Sequence, residues 1–132
     1  MISFTLGEIA GITGGRYSGP KELLDRRIQD ATIDSRTVQS GCLFVPIVGE
    51  RFDGHDFIPQ AIDKGAIAVL AENEKSYTCP VIYVDSTIKA LLAMAKAYRA
   101  IFDIPVVGIT GSTGKTTTKE LVANVLSQKF NT

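Results

Sequence analysis

Near the end of the chain, Thr110-Gly111-Ser112-Thr113-Gly114-Lys115-Thr116-Thr117 brings together glycines, hydroxyls and one lysine. That mixture suits the binding of a chain of phosphates. Glycines let backbone N–H groups turn inward toward phosphate oxygens. A helix that begins at such a loop adds its free N–H groups and the positive end of its dipole. Lys115 can reach the outer phosphates as a point charge, and the Thr116 hydroxyl can ligate a Mg²⁺ carried by the nucleotide. The candidate nucleotide-binding residues are therefore Gly111, Ser112, Thr113, Gly114, Lys115, Thr116 and Thr117, with Lys115 the candidate catalytic group. The general pattern G-x-x-x-x-G-K-[ST] asks for glycine at 109, whereas the chain has Ile109, with Gly108 one place early. The plainer alternative is a glycine-rich turn capped by a lysine and without ligand. The predicted strand before the loop and helix after it favour the phosphate reading.

Other reactive side chains are sparse. Asp34-Ser35-Arg36 follows an apolar stretch and reads on chemistry alone as a polar turn, with Arg36 paired to a nearby acid. His55 is the only histidine, and no cysteine or carboxylate stands at the spacing a metal would require. Asp53 and Asp56 beside it suit turn and cap chemistry, with Asp56 capping a helix at Phe57. Cys42 and Cys79 have no cation immediately beside them, so they read as reduced core or loop thiols rather than nucleophiles.

The elements that must position these residues alternate between helix and strand. Thr5-Leu6-Gly7-Glu8 has the form of a capping box, and Gly14-Gly15 ends the helix it opens. Residues 16–27 read first as a loop. Strands are predicted at 28–33, 42–48, 66–71 and 81–84, with Pro46 marking an edge or bulge. A helix is predicted over 57–64, closed by Gly65. Another follows Ser86 or Thr87, with Ile88, Leu91, Leu92, Ala95, Tyr98 and Phe102 as its apolar stripe. Asp103-Ile104-Pro105 is the candidate domain boundary. Residues 106–110 predict a strand, and the helix from Lys115 shows an apolar face of Leu121, Val122, Val125 and Leu126. The expected class is α/β with some parallel pairing.

Composition sets bounds. The chain has 132 residues, 45% of them hydrophobic, enough for one ordinary domain and too few for two complete ones. Basic and acidic residues balance at 14 each, so nucleic-acid binding finds no basic footprint. The start, Met1-Ile2-Ser3-Phe4-Thr5, lacks the pattern of a signal peptide, and no apolar run approaches the ~20 residues that span a membrane. A cytoplasmic protein without membrane insertion is expected.

The departure from the general loop pattern is itself informative. Gly108-Ile109-Thr110-Gly111-Ser112-Thr113-Gly114-Lys115-Thr116-Thr117 resembles the ATP loop of the Mur ligases of bacterial cell-wall synthesis. Asp34-Ser35-Arg36 is similar to a family element. Leu43-Phe44-Val45, then Gly49-Glu50-Arg51-Phe52-Asp53-Gly54-His55-Asp56-Phe57-Ile58, and Lys119-Glu120 look like the branch that adds D-alanyl-D-alanine. The resemblance covers nearly the whole chain.

It implies a small N-terminal α/β substrate-binding domain over 1–103, which holds the UDP end of the substrate. After it come the first strand, P-loop and helix of a P-loop ATPase-type central domain over 104–132, cut short. It implies ATP and Mg²⁺ as cofactors, and UDP-N-acetylmuramoyl-tripeptide and D-alanyl-D-alanine as substrates joined through an acyl phosphate. Ser35 and Arg36 become candidate contacts to the UDP part, and His55 a residue near substrate. The family's remaining Mg²⁺ ligand, modified lysine and adenine pocket belong beyond residue 132. The chain alone is expected to be inactive, and its tail either mobile or self-associated by strand pairing or exchange. The alternatives are a UDP-sugar-binding module without catalysis, or a Mur-type ligase adding another amino acid. A folate polyglutamate ligase shares the loop style, but Asp34-Ser35-Arg36 and Gly54-His55-Asp56 argue against it.

Overall fold

A computed structural model describes residues 3–132; Met1 and Ile2, where the reading of the N-terminal signal begins, lie outside the described residues. The chain separates into two compact units, the first ending at Phe102 and the second comprising Asp103–Thr132.

The first unit is a mixed α/β layer structure, as its alternating elements predict. Helix α1 (Leu6–Thr13) starts at the predicted capping box. The Glu8 N–H donates to Thr5 Oγ1 at 3.1 Å, and the Thr5 N–H donates to Glu8 Oε2 at 2.7 Å. Gly14 closes the helix at φ 64°, a left-handed conformation that glycine takes without steric penalty. The strands are β1 (Arg16–Ser18), β2 (Asp30–Thr32), β3 (Cys42–Phe44), β4 (Ala68–Ala71) and β5 (Val81–Tyr83). They form one sheet in the order β1-β5-β4-β3-β2. β1 runs antiparallel to β5, and every other pair is parallel.

Side chains alternate across a strand, so the central strands feed two cores. Leu43, Ala68, Leu70 and Ile82 join Leu6, Ile9, Ala90 and Met94 on the face covered by α1 and α3 (Thr87–Ala100). Cys42, Phe44, Val69, Ala71 and Val81 join Ile58 and Ala61 on the face covered by α2 (Ile58–Asp63). Burial on both faces is why these strands read as unbroken apolar runs.

Several expectations need correction. Residues 16–18 are a strand rather than loop; β1 is three residues long, with an exposed residue at either end, too short to display an alternating pattern. β3 stops at Phe44, so Pro46 lies beyond the end of a central strand and not at an edge or bulge. On α3 the buried positions are Thr87, Ala90 and Met94, while Ile88 and Leu92 are exposed. The helix lies against α1, and the face it buries holds Ala90 and Met94 with Leu91 partly buried beside them, which leaves Ile88 and Leu92 outward. Tyr98 and Phe102, expected in the core, are 38% and 37% exposed and stack edge-on at a centroid distance of 5.2 Å.

The second unit holds one helix, α4 (Lys115–Leu126). Residues 106–110, predicted as a strand, form none among the described residues. A strand exists by its ladder, and none of the described strands pairs with this segment. The predicted apolar face of α4 is largely open: Leu121 and Val125 are exposed.

Candidate functional site

All four parallel strands end at one edge of the sheet, where ligands of open α/β sheets generally bind. The chain leaving β2 there is Asp34-Ser35-Arg36. It is a tight polar turn, as expected. The Thr37 N–H and hydroxyl both donate to the Asp34 carbonyl, at 3.1 and 3.0 Å. Arg36 turns back on Asp34 in a fork: Nε donates to Oδ1 at 2.9 Å and Nη2 to Oδ2 at 2.7 Å. The fork, with the Arg36 N–H also donating, holds the Asp34 carboxyl down at about 2 and raises Arg36. Ser35 is buried, and its hydroxyl donates to Gln60 Oε1 at 2.9 Å. Lys64 Nζ donates to the Arg36 carbonyl at 2.9 Å. Helix α2 thus fixes the turn from beneath with Gln60 and next to its end with Lys64. Neither residue carried a sequence signal, because each bond joins positions 25 or more residues apart.

The chain leaving β3 carries residues 49–55. The Gly49 N–H donates to the Phe52 carbonyl at 2.9 Å, and Val48 bridges Asp53, which makes 49–52 a tight turn. Gly54 follows with its N–H on the Ile47 carbonyl at 2.9 Å; a Cβ there would lie 2.5 Å from the Ile47 nitrogen. Only glycine permits that approach of backbone to backbone. Gly54–Phe57 is a short 3₁₀ turn whose cap is Asp53, accepting from the His55 N–H at 2.9 Å. Asp53 therefore takes the capping part expected of Asp56, since the turn begins two residues before the helix proper.

His55 is buried, with its side chain 4% exposed. Its Nε2 accepts from the Glu72 N–H at 2.9 Å, so the proton sits on Nδ1, which donates to Asp53 Oδ1 at 2.6 Å. Both ring nitrogens are thus bonded to protein, and the imidazole offers neither to a ligand. Glu72, at the end of β4, accepts from the Thr87 N–H at 2.7 Å and from its hydroxyl at 2.9 Å. Arg51 and Phe52, by contrast, are exposed, and Arg51 makes no ion pair among the described residues.

In the second unit, Gly114 caps α4 at φ 75° and Gly111 stands at φ 154°, conformations that favour glycine. The first bond inside α4 runs from the Thr118 N–H to the Gly114 carbonyl at 2.9 Å. The amides of Lys115, Thr116 and Thr117 therefore have no partner within the helix, and no side chain caps them. Lys115, Thr116 and Thr117 are exposed, and Lys115 and Thr116 line a hollow of about 280 Å³ with Val107, Ile109 and Lys119. Unpaired amides, an ammonium and hydroxyls form the donor set that a nucleotide's phosphates and their Mg²⁺ require.

Cys42 is buried, and burial pushes the Cys79 thiol up to about 11, which suits neither for nucleophilic work. No group of three or more metal-ligating residues occurs among the described residues, and no helix there is long and apolar enough to cross a membrane.

Known proteins resemble this chain along most of its length. A family model described as "Mur ligase family, catalytic domain" matches residues 27–106, ending just before the glycine loop. The chain is 48% identical over 110 residues to the UDP-N-acetylmuramoyl-tripeptide--D-alanyl-D-alanine ligase of Synechocystis, covering 81% of this chain and 24% of that protein. A crystal structure of MurF from Acinetobacter baumannii superimposes with a TM-score of 0.86 at 29% identity, covering 99% of this chain and 29% of that one. The MurF ligase of Thermotoga maritima, in complex with ADP, matches with a TM-score of 0.69 at 41% identity, over 76% of this chain and 23% of its own. The chain therefore spans under a third of the length of these proteins.

Proposed function

This chain belongs to the Mur ligase family, and we propose that it serves an ATP-dependent ligase joining D-alanyl-D-alanine to a UDP-N-acetylmuramoyl-tripeptide. The observation that carries the proposal is the start of α4. Three unpartnered amides, the Lys115 ammonium and the Thr116 hydroxyl stand together beside two glycines at positive φ. When bound, ATP supplies the phosphoryl group that activates the substrate carboxylate, through an acyl phosphate, for attack by the dipeptide amine. The residues of this chain orient that phosphate chain. The amides of residues 115–117 point their dipole end at it, Lys115 neutralises charge on the outer phosphates, and Thr116 offers its hydroxyl to the accompanying Mg²⁺. Their contribution is greatest where negative charge grows during transfer.

The first unit is assigned the UDP end. Domain limits of 1–103 for that unit and 104–132 for the start of the ATP-binding domain remain part of this proposal. Ser35 and Arg36 belong to the substrate-binding edge. His55, bonded on both sides, supports that edge from within.

The test is phosphate release by the complete protein with ATP, Mg²⁺, the UDP-tripeptide and D-alanyl-D-alanine. Turnover should require all of them. Phosphate release that continued unchanged when another amino acid replaced D-alanyl-D-alanine would overturn the assignment to this branch. The 132-residue chain alone should show no turnover.

A further inference from the structure

The charges of α4 are set against the helix that carries them. Lys115 and Lys119 stand one helical turn apart and share a face. Like charges at that spacing weaken a helix. Both lie near its N-terminus, where the dipole disfavours cations, and the first turn holds no acidic residue. Glu120 is the one carboxylate on α4; it adjoins Lys119 in sequence and so points off the shared face. Neither lysine makes an ion pair among the described residues. Both line the hollow of about 280 Å³, whose other walls are Val107, Ile109 and Thr116, and no acidic residue lines it. The general phosphate-loop pattern asks for a single lysine, and Lys115 fills that place. Lys119 is therefore a cation that neither the helix nor the loop pattern requires.

We propose that Lys119 is a second phosphate-binding residue, whose ammonium joins that of Lys115 in holding the phosphate chain of the nucleotide. The inference rests on the glycine loop being the nucleotide site. Long side chains on a helix lean toward its N-terminus, so the stem of Lys119 covers the turn that begins at Lys115. Two ammonium groups thus serve one small hollow. A polyanion there turns an unfavourable arrangement into a favourable one, because repulsion between the lysines is offset by the attraction of each to the ligand. Removing the charge of Lys119 should then act in opposite directions on the two states of the protein. The free protein loses a repulsion and is at least as stable as before. The complex loses an ionic contact and is weaker. A lysine kept for packing would instead destabilise the free protein when removed.

The experiment is isothermal titration of the complete protein with ADP and Mg²⁺. Wild type is compared with Lys119→Met, Lys115→Ala and Lys129→Met, and thermal melts without nucleotide accompany each. Methionine keeps most of the apolar stem and removes the charge. Lys129 lies beyond the end of α4 and controls for net charge. Lys119→Met should weaken the dissociation constant on the order of tenfold, the scale of one charge-assisted hydrogen bond. The loss should shrink at high salt, which screens exposed charges. Lys129→Met should leave the constant unchanged, and nucleotide-free Lys119→Met should melt no earlier than wild type. A constant unchanged in Lys119→Met but weakened in Lys115→Ala overturns this proposal alone. So does an equal loss in Lys119→Met and Lys129→Met, the effect of net charge, and so does a lowered midpoint in nucleotide-free Lys119→Met, the effect of a structural lysine. Binding that neither Lys115→Ala nor Lys119→Met alters overturns the proposal together with the reading of the glycine loop.

Discussion

The two units treat their polar residues in opposite ways. At the sheet edge of the first unit, Arg36 is bound to Asp34, Ser35 to Gln60, and His55 to both Asp53 and Glu72. At the start of α4, Lys115, Thr116 and the helix amides have no such partner. The apolar residues divide the same way. Leu43 and Phe44 are sealed between the sheet and the helices on its two faces, whereas Leu121 and Val125 face solvent. The first edge is organised before any ligand arrives and can contribute shape. The glycine loop instead holds unspent hydrogen-bonding capacity.

The largest expected difference is in stability. Phe44→Ala should cost about 3–5 kcal/mol, as for a buried aromatic replaced by alanine, while Leu121→Ala on the open face of α4 should stay within about 0.5 kcal/mol. Urea unfolding of this chain measures both. Comparable losses would mean that α4 is packed in solution, as self-association through the tail would require. Light scattering and hydrogen exchange, on this chain and on one ending at Asp103, then decide between association and an open tail.

Next in size is Lys115→Ala. In the complete protein it should lower kcat by about 10²–10³-fold, the range for removing one preorganised group that meets developing charge. The thermal midpoint should not move, since Lys115 is exposed. A fall in midpoint with kcat intact would transfer Lys115 to the structural class to which Phe44 belongs.

Smaller still, Arg36→Ala in the complete protein should raise KM for the UDP substrate by about tenfold with little change in kcat or in KM for ATP, the mark of uniform binding. Equal effects on both substrates would leave the turn with a structural part only.

The smallest effect is a pH dependence. The Asp34 carboxyl is held at about 2 by hydrogen bonds from Arg36. Because the folded value is depressed, its contribution is present above the ordinary carboxylate range near 4 and is lost as pH falls through about 2. Asp34→Asn should make the loss of stability over that window shallower, with Asp53, also held below its ordinary value by His55, supplying part of what remains, while the shape of the profile over pH 5–8 stays almost unaffected. A wild-type profile already flat between pH 4 and 2 would show the pair to be ineffective in solution.

How much of this the sequence displayed depended on whether a residue's partner was near in the chain. The α1 capping box joins residues only three positions apart and was legible at once. The runs in β3, β4 and β5 were legible because they are buried on both faces. The stripe of α3 was not, since Thr87, Ala90 and Met94 repeat at helical spacing just as Ile88 and Leu92 do, and size pointed to the larger set. The glycine loop was legible as chemistry because all its parts are consecutive. The sheet edge was legible only in Asp34-Ser35-Arg36. Gln60, Lys64, Glu72 and Thr87 enter through contacts 15 to 28 residues long, and His55 owes its state to a backbone N–H that has no letter in the sequence.

The sheet has a further consequence for behaviour at high concentration. Its two outer strands, β1 and β2, are three residues each, and each opens on a charged residue. Arg16 is held by Glu74 at 2.6 Å and lies over the Tyr83 ring at 4.6 Å, and Asp30 takes the neighbouring Ala31 N–H at 2.8 Å. A foreign strand docking on either rim would have to desolvate such a charge for very few ladder bonds, so the rims resist amyloid-like stacking. If copies of this chain do clump, the adhesive surface is expected in residues 104–130, and deleting those residues should raise solubility.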